Sequence, residues 1–450
     1  MLPPVKLLKQ MLRDIIRQKG QQGHDVEGLE HEMDSLPDSY DVCAAFALKL
    51  KDLPIRPDWP YVEPNDLDAI WKECAPDRPL GAMCKVDLED SAKHVETAFL
   101  ASVCGCILGK PLEVNPTLEE IRKAAEAVGE WPLKDYISIK MLEALGRRHG
   151  SWKECCRENI TYAASDDDLN YTVLGMLLLE KHGLSLNKDH ICDMWLTQLP
   201  IWYVWGPERL TLIKAAIYTL VKEKDAPYDE WVSVLQSGDE FCGALIRADA
   251  YGYACPGRPA LAAELAWRDA SFTHRRTGIY GTMFTAAAIA VAQVAQDPLE
   301  IFEVALKFVP QKSRFYRIAA DSLNDVRAAS DWLDGYNRIH NKYKEYASCH
   351  IYQEIGTVMN TLRFAKDCGD GICKQVSQGN DTDSFGCTCG SILGAYFSPG
   401  GLKKKWLKPF QDTIHVGLAA FFEQSLSKLA ERMGQLPMHI AEELAKTGAK

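Results

Sequence analysis

Apolar residues return at intervals of three and four along most of the chain, the spacing of one face of an α-helix. The pattern predicts helices over Val5 to Ile16, Val95 to Leu108, Leu210 to Val221, Ile279 to Val294, Ile301 to Phe308, Ile351 to Phe364 and Val416 to Met433, and few segments alternate as strands do. Proline and glycine punctuate these runs at Pro54 to Pro64, Pro111 to Pro116, Pro256-Gly257-Arg258-Pro259, Gly369 to Gly371 and Pro399-Gly400-Gly401. The predicted class is therefore all-α, with many helices. Gly278 to Gln296 is rich in small residues (Gly281, Ala286 to Ala288, Ala290, Ala292), which lets neighbours approach closely, as around a central helix. No repeat at a solenoid period is present. A soft boundary near residue 90 separates an N-terminal helical extension, 1–90, from a core, 91–450. Asp52 to Pro79, proline-rich and carrying Trp59, Tyr61 and Trp71, is expected to dock the extension on that core.

Composition narrows the function. A 450-residue chain that is 47% hydrophobic has ample material for a packed core. With 62 acidic against 51 basic residues and a net charge of -11, it offers no general field for nucleic acid or anionic lipid, and neither is an expected partner. Met1 to Lys19 lacks the continuous apolar stretch of a signal peptide, and no run is read as approaching a membrane span. The 15 cysteines are odd in number and scattered, which fits reduced thiols packed as small hydrophobes and a cytoplasmic location. Cys387-Thr388-Cys389 lacks a second Cys/His pair at zinc spacing and is set aside.

Two oxygen-rich turns carry the candidate chemistry. Ser165-Asp166-Asp167-Asp168 opens an apolar helix, Asn170 to Glu180, and Gly379-Asn380-Asp381-Thr382-Asp383-Ser384 opens a small, glycine-rich one. Either alone reads as an ordinary helix cap with extra acids in the first turn. A cap, however, uses one side-chain oxygen, and successive carboxylates repel unless something positive sits between them. The simplest such object is a hard divalent cation, which takes about six oxygens. Adjacent Asp166 and Asp167 diverge by roughly a hundred degrees at a helix start, so they can face different ions. Two ions held by both turns can bind a ribose diol, polarise a water and stabilise an oxocarbenium-like transition state.

Further motifs give these turns a family context. In chain order they are Gly105-Cys106-Ile107-Leu108-Gly109-Lys110-Pro111-Leu112-Glu113, the Ser165 turn, Arg247-Ala248-Asp249-Ala250-Tyr251-Gly252, Thr273-His274 leading into Gly278-Ile279-Tyr280-Gly281, and the Gly379 turn. Together, from about Val95 to Met433, they resemble the ADP-ribosylglycohydrolases, which release ADP-ribose from modified arginine or serine. The resemblance implies a single orthogonal bundle of α-helices around a dinuclear Mg²⁺ or Mn²⁺ site. Ser165, Asp166, Asp167, Asp381, Asp383 and Ser384 correspond to the ligands. Glu113 matches a glutamate over the site that acts on water or leaving group, with Asp167 and Asp383 sharing in catalysis. Gly243, Arg247, Tyr251, Gly252 and His274 correspond to residues that contact the ADP-ribosyl group. From the residues alone, Arg247 pairs with Asp249 or Asp269 as easily as with a pyrophosphate, and His274 and His350 read as packed histidines.

The chain also departs from the family pattern. Cys106 stands where an aspartate is common, Asp168 replaces a threonine, and the extension and Leu186 to Trp231 exceed the smaller members. The expected activity is metal-dependent hydrolysis of an N- or O-ribosyl bond on an ADP-ribosylated protein side chain. The alternatives are a free nucleotide, nucleoside or small ADP-ribose adduct as substrate, or a non-catalytic, crystallin-like relative. The chain is expected to be a monomer or small homo-oligomer. Trp202 and Trp205 read as either core or cleft wall.

Overall fold

The computed structural model describes residues 4–221, 228, 232–344, 346 and 348–447. Helices account for the regular structure, and β pairing among the described residues is confined to isolated bridges. The all-α expectation holds. Two compact units form: Met1–Tyr61 with Val204–Asp239, and Val62–Tyr203 with Glu240–Lys450.

In the smaller unit, α1 (Val5–Gln21), α2 (Leu29–Ser35) and α3 (Tyr40–Lys51) share a core of Leu8, Leu12, Ile16, Met33, Phe46 and Leu50. The three- and four-residue spacing in α1 puts its leucines and isoleucines on one face. The predicted Leu210–Val221 helix forms as Gly206–Val221. Residues 222–227 and 229–231, at the end of the long Leu186 to Trp231 region, lie outside the described residues.

The larger unit is organised by α4 (Leu88–Gly109), α5 (Asp167–His182), α6 (Thr277–Ala292), α7 (Tyr352–Phe364), α8 (Cys368–Ser377) and α9 (Thr382–Phe397). Every residue of α6 is buried, as its small-residue composition predicts. Burial of Ile279, Met283, Phe284 and Ile289 there contributes about 1.5–3 kcal/mol each. The crossing of α4 with α9 is backbone against backbone. A Cβ on Gly105 would stand 2.0 Å from the Gly386 carbonyl oxygen, and one on Gly109 would stand 2.1 Å from that of Thr382. Gly390 and Gly394 meet the Ala101 and Thr97 carbonyls in the same way. Glycine every fourth residue makes one face of each helix flat, so the C-terminus of α4 lies directly on the N-terminus of α9.

Three expectations are corrected. Gly369 and Gly371 do not break the chain but lie inside α8, which Asp367 caps by accepting from Asp370 N. They are small because Trp406 and Leu393 press on them. The Val416 to Met433 helix forms only from Leu426. Its first part is irregular, with Gly417 N donating to Asn170 Oδ1 at 2.6 Å and Ser425, bridged to Thr413, capping the helix that follows. Last, Leu88–Leu112 is long and apolar enough to cross a membrane, so the expectation that no run approaches a span does not hold there; 89% of its apolar window is buried as the core of this unit.

The proline-rich segment divides between the units. Trp59 packs edge-on to Tyr61 at 5.1 Å in the smaller one. From Val62 onward the chain binds the larger one, through Val62 N to Lys312 O, Glu63 to Arg314, and Trp71 against Phe308.

Candidate functional site

The glycine-flattened crossing sets the geometry of the site. Where α4 ends, Lys110 to Leu112 form one tight turn leading into Glu113. Thr382 Oγ1 donates to Gly109 O at 2.9 Å, tying that turn to the start of α9. A second tie fixes the turn at Gly379. Gly379 (φ 80°) and Asn380 (φ 63°) are left-handed, Asn380 N donates to Pro116 O at 2.9 Å, and Thr117 bridges to Gly379. A Cβ on Gly379 would lie 2.1 Å from the Pro116 oxygen, so glycine is required twice over, by space and by φ.

The two oxygen-rich turns, far apart in sequence, meet across this junction. Asp166, Asp167 and Asp168 bring carboxylate oxygens within 4.8 Å of one another, and so do Glu113, Asp381 and Asp383. Ser384 Oγ donates to Asp168 Oδ2 at 3.4 Å, linking the sets. Asp166 does cap its helix, accepting from Asp168 N, but Asp381, in the equivalent place before α9, makes no capping bond. Its Oδ2 instead accepts from the thiols of Cys242 and Cys349, each at 3.3 Å. Ser165 Oγ donates to Asn170 Oδ1 at 3.3 Å.

Between the turns stands a residue that sequence reasoning quoted but did not use. The Lys110 ammonium lies 2.6 Å from Glu113 Oε2, 2.7 Å from Asp166 Oδ2 and 2.9 Å from Asp383 Oδ2, and the side chain is buried. A lysine fixed between Gly109 and Pro111, three residues before the glutamate, was the available signal. His149, also missed, has Nε2 3.7 Å from Glu113 Oε2. Burial and Lys110 keep its proton affinity low, favouring the neutral ring.

One ammonium does not balance six carboxylates. Burial, then repulsion from Asp166, pushes the Asp167 and Asp168 carboxyls well above their usual range. Burial and Asp383 raise Glu113 and hold Asp381 at about 8. Burial also acts upward on Asp383, but Lys110 and its hydrogen bonds outweigh it and keep that carboxyl at about 2. Asp168 Oδ1 and Asp383 Oδ1 are buried without a hydrogen-bond partner. Unpartnered carboxylate oxygens in a cluster short of positive charge form a donor set that fits a hard divalent cation.

The matched region brackets this whole construction. The ADP-ribosylglycohydrolase family model covers residues 87–443, from the cap of α4 to the last helix. The chain belongs to the ADP-ribosylglycohydrolase family. That family is one of glycohydrolases. A solved ADP-ribosylglycohydrolase-related protein complex is similar at 19% identity, covering 78% of this chain and 99% of that one, with a TM-score of 0.48. No curated protein matches the chain by sequence.

Of the residues expected to contact substrate, Arg247, Tyr251, Gly252 and His274 are buried and Gly243 is half-buried. Arg247 is fully buried and pairs with Asp269, not Asp249, while donating to Thr273 Oγ1 and Gly243 O, both at 2.8 Å. Tyr251 OH donates to Asp269 Oδ2 at 2.8 Å, and buried His274 shares a 2.7 Å hydrogen bond with Thr273. Gly252 lets α6 approach, since a Cβ there would lie 2.6 Å from that of Ile289. These residues form a packed network. Arg247→Ala is therefore expected to destabilise by about 3–5 kcal/mol, because Asp269 is left buried without its countercharge. Chemical unfolding measures this; unchanged stability with a raised KM would assign Arg247 to substrate instead. His350 packs edge-on to Phe241 at 4.7 Å, and Trp202 and Trp205 are both exposed.

The raised carboxyls also predict a pH dependence for the cation-free chain. The folded chain holds a proton on Asp381 up to about 8, against an ordinary value of 3.8. The stability this proton confers is complete below the ordinary value and is lost as pH rises toward 8. In EDTA, Tm should fall between about pH 5 and 8. Added Mg²⁺ should restore it most at the upper end, where the carboxylates are free to bind. A flat Tm across that range would contradict the charge imbalance.

Proposed function

We propose that the protein is a divalent-cation-dependent glycohydrolase that cleaves an N- or O-ribosyl bond and releases ADP-ribose from a modified protein side chain. The observation that supports this most is the meeting of both oxygen-rich turns with Glu113 around one point, within 2.6–2.9 Å of the Lys110 ammonium. Asp166, Asp167, Asp381 and Asp383, with Ser165 and Ser384, are the residues that would hold Mg²⁺ or Mn²⁺. A bound cation supplies positive charge that orders ribose hydroxyls and acidifies the attacking water.

The chain's own groups do the rest. Glu113, like half-buried Asp167, is a partly open member of the cluster; its side chain is 35% exposed, so it faces both site and solvent. Its raised proton affinity suits it to hold a proton near neutral pH and pass it to the departing nitrogen or oxygen. Water adds to the anomeric carbon as that bond breaks, and the water's proton returns to the carboxylates. Asp383, held ionised, and Asp167, which would give up its proton on cation binding, stabilise the positive charge that builds on the ribose ring. Neutral His149 beside Glu113 can shift that proton outward.

The test is incubation of the purified chain with Mg²⁺ or Mn²⁺ and peptides ADP-ribosylated on arginine or serine, beside free nucleosides and small ADP-ribose adducts. Mass spectrometry follows ribosyl release, with EDTA as control. Metal-dependent release of ADP-ribose from a peptide is expected. Release only from the small molecules would transfer the activity to free nucleotides, and no release from any would leave a binding or structural role.

A further inference from the structure

We propose that Lys110 is a built-in cation that takes the place of one metal ion, so that this chain carries a single divalent ion beside an ammonium. The inference rests on the cation-dependent reading above and deepens it.

The argument is geometric. An ammonium has three N–H donors, and here three carboxylate oxygens from three separate segments stand at 2.6, 2.7 and 2.9 Å: Glu113 after α4, Asp166 before α5 and Asp383 in α9. Among the described residues, all three acidic segments converge at that point. A Mg²⁺ ion placed there would need oxygens at about 2.0–2.1 Å, and it cannot share the volume with the ammonium. Lys110 is also held in register. Its backbone follows Gly109, which is pressed on the Thr382 carbonyl, and precedes Pro111, whose ring fixes φ. Its side chain is buried and directed inward, whereas a surface lysine would extend to water.

The oxygens Lys110 leaves unused define what remains. Asp167, Asp168 and Asp381 make no ion pair with it, and Asp383 Oδ1 and Asp168 Oδ1 have no hydrogen-bond partner. This remainder supplies enough carboxylate for one hard cation. It also includes Asp168, which is absent from the ligand set implied by family resemblance. A fixed monovalent charge beside one exchangeable divalent ion lowers the metal requirement of the site and makes one third of its positive charge permanent.

Metal stoichiometry tests this without reference to turnover. The full-length chain is stripped with EDTA, saturated with Mn²⁺, dialysed, and analysed for bound metal by mass spectrometry and by electron paramagnetic resonance. The wild type is expected to bind one ion with an uncoupled spectrum, as is Lys110→Arg. Lys110→Met is expected to gain a second ion and an exchange-coupled spectrum. Equal ion counts in wild type and Lys110→Met would overturn the proposal, and so would a coupled pair in the wild type. Should Lys110→Met fail to fold, the wild-type count and spectrum still decide. An inactive wild type that binds one ion would refute the proposed glycohydrolase function and leave this inference standing.

Discussion

Asp381→Asn combined with Asp383→Asn should abolish cation-dependent hydrolysis while leaving the helical fold intact. Changes one layer outside a metal's ligands cost about 10–100-fold, so removal of two donors from the cluster should cost more than about a hundredfold. The fold should survive because neither charge is essential to packing. Asp381 makes no capping bond to α9, and the site holds more negative charge than Lys110 can balance. Lys110 keeps Asp166 and Glu113 when Asp383 becomes an amide. Neutralising Asp381 also removes a carboxyl that burial, and then repulsion from Asp383, push upward. In EDTA near neutral pH, Tm should therefore remain within a few degrees of wild type, and Mg²⁺ should no longer raise it. Calorimetry with and without Mg²⁺ reads both effects. An unfolded double variant would make the second turn a structural element.

The second large effect concerns the α4–α9 crossing. Gly105→Val should prevent the two helices from meeting, because its first added carbon would already lie 2.0 Å from the Gly386 carbonyl oxygen. Overpacking in a core costs about 1–3 kcal/mol when side chains can yield. Here the obstacle is backbone in the middle of a helix, which yields only by separating the pair, so a loss above about 3 kcal/mol is expected. Separation also moves Glu113 and Lys110 away from Asp383. Gly105→Ala, the milder form, should thus weaken Mn²⁺ affinity as well as lower Tm, although residue 105 touches no carboxylate. Gly146, which has open space around it and a positive φ, provides the control: Gly146→Ala should cost only local strain and leave metal affinity unchanged. Weakening of Mn²⁺ binding by both substitutions alike would break the proposed link between helix crossing and site.

Legibility varied by residue in a way that follows from physics. The α6 helix was readable because its composition is a local property: a run of alanine, glycine and apolar residues with no charge has nowhere to lie but inside. The acidic turns were readable because clustered carboxylates are costly wherever they occur. The partner that sits between them was not, since its one local mark, a lysine held between Gly109 and Pro111, does not separate a side chain pointing inward from the many that point to water. Lys110 became distinctive only once α4 and α9 had closed on each other. Arg247 shows the same limit, as the motif marked it but could not choose between a carboxylate partner, Asp249 or Asp269, and a pyrophosphate; the fold pairs it with Asp269. Gly369 and Gly371 misled for a related reason. Glycine weakens a helix in isolation, and only the neighbours Trp406 and Leu393 show why it is needed there.

By itself, then, the order of residues determined the helical class, the central small-residue helix and the two oxygen-rich turns, because periodicity, side-chain size and charge density act over a few positions. Tertiary structure alone decided that these turns meet, that Asp381 leaves its helix uncapped to face two thiols, and that Lys110 stands at their convergence. Those outcomes depend on distances between segments far apart in sequence, and such distances are set by how closely the glycine faces of α4 and α9 allow two backbones to approach.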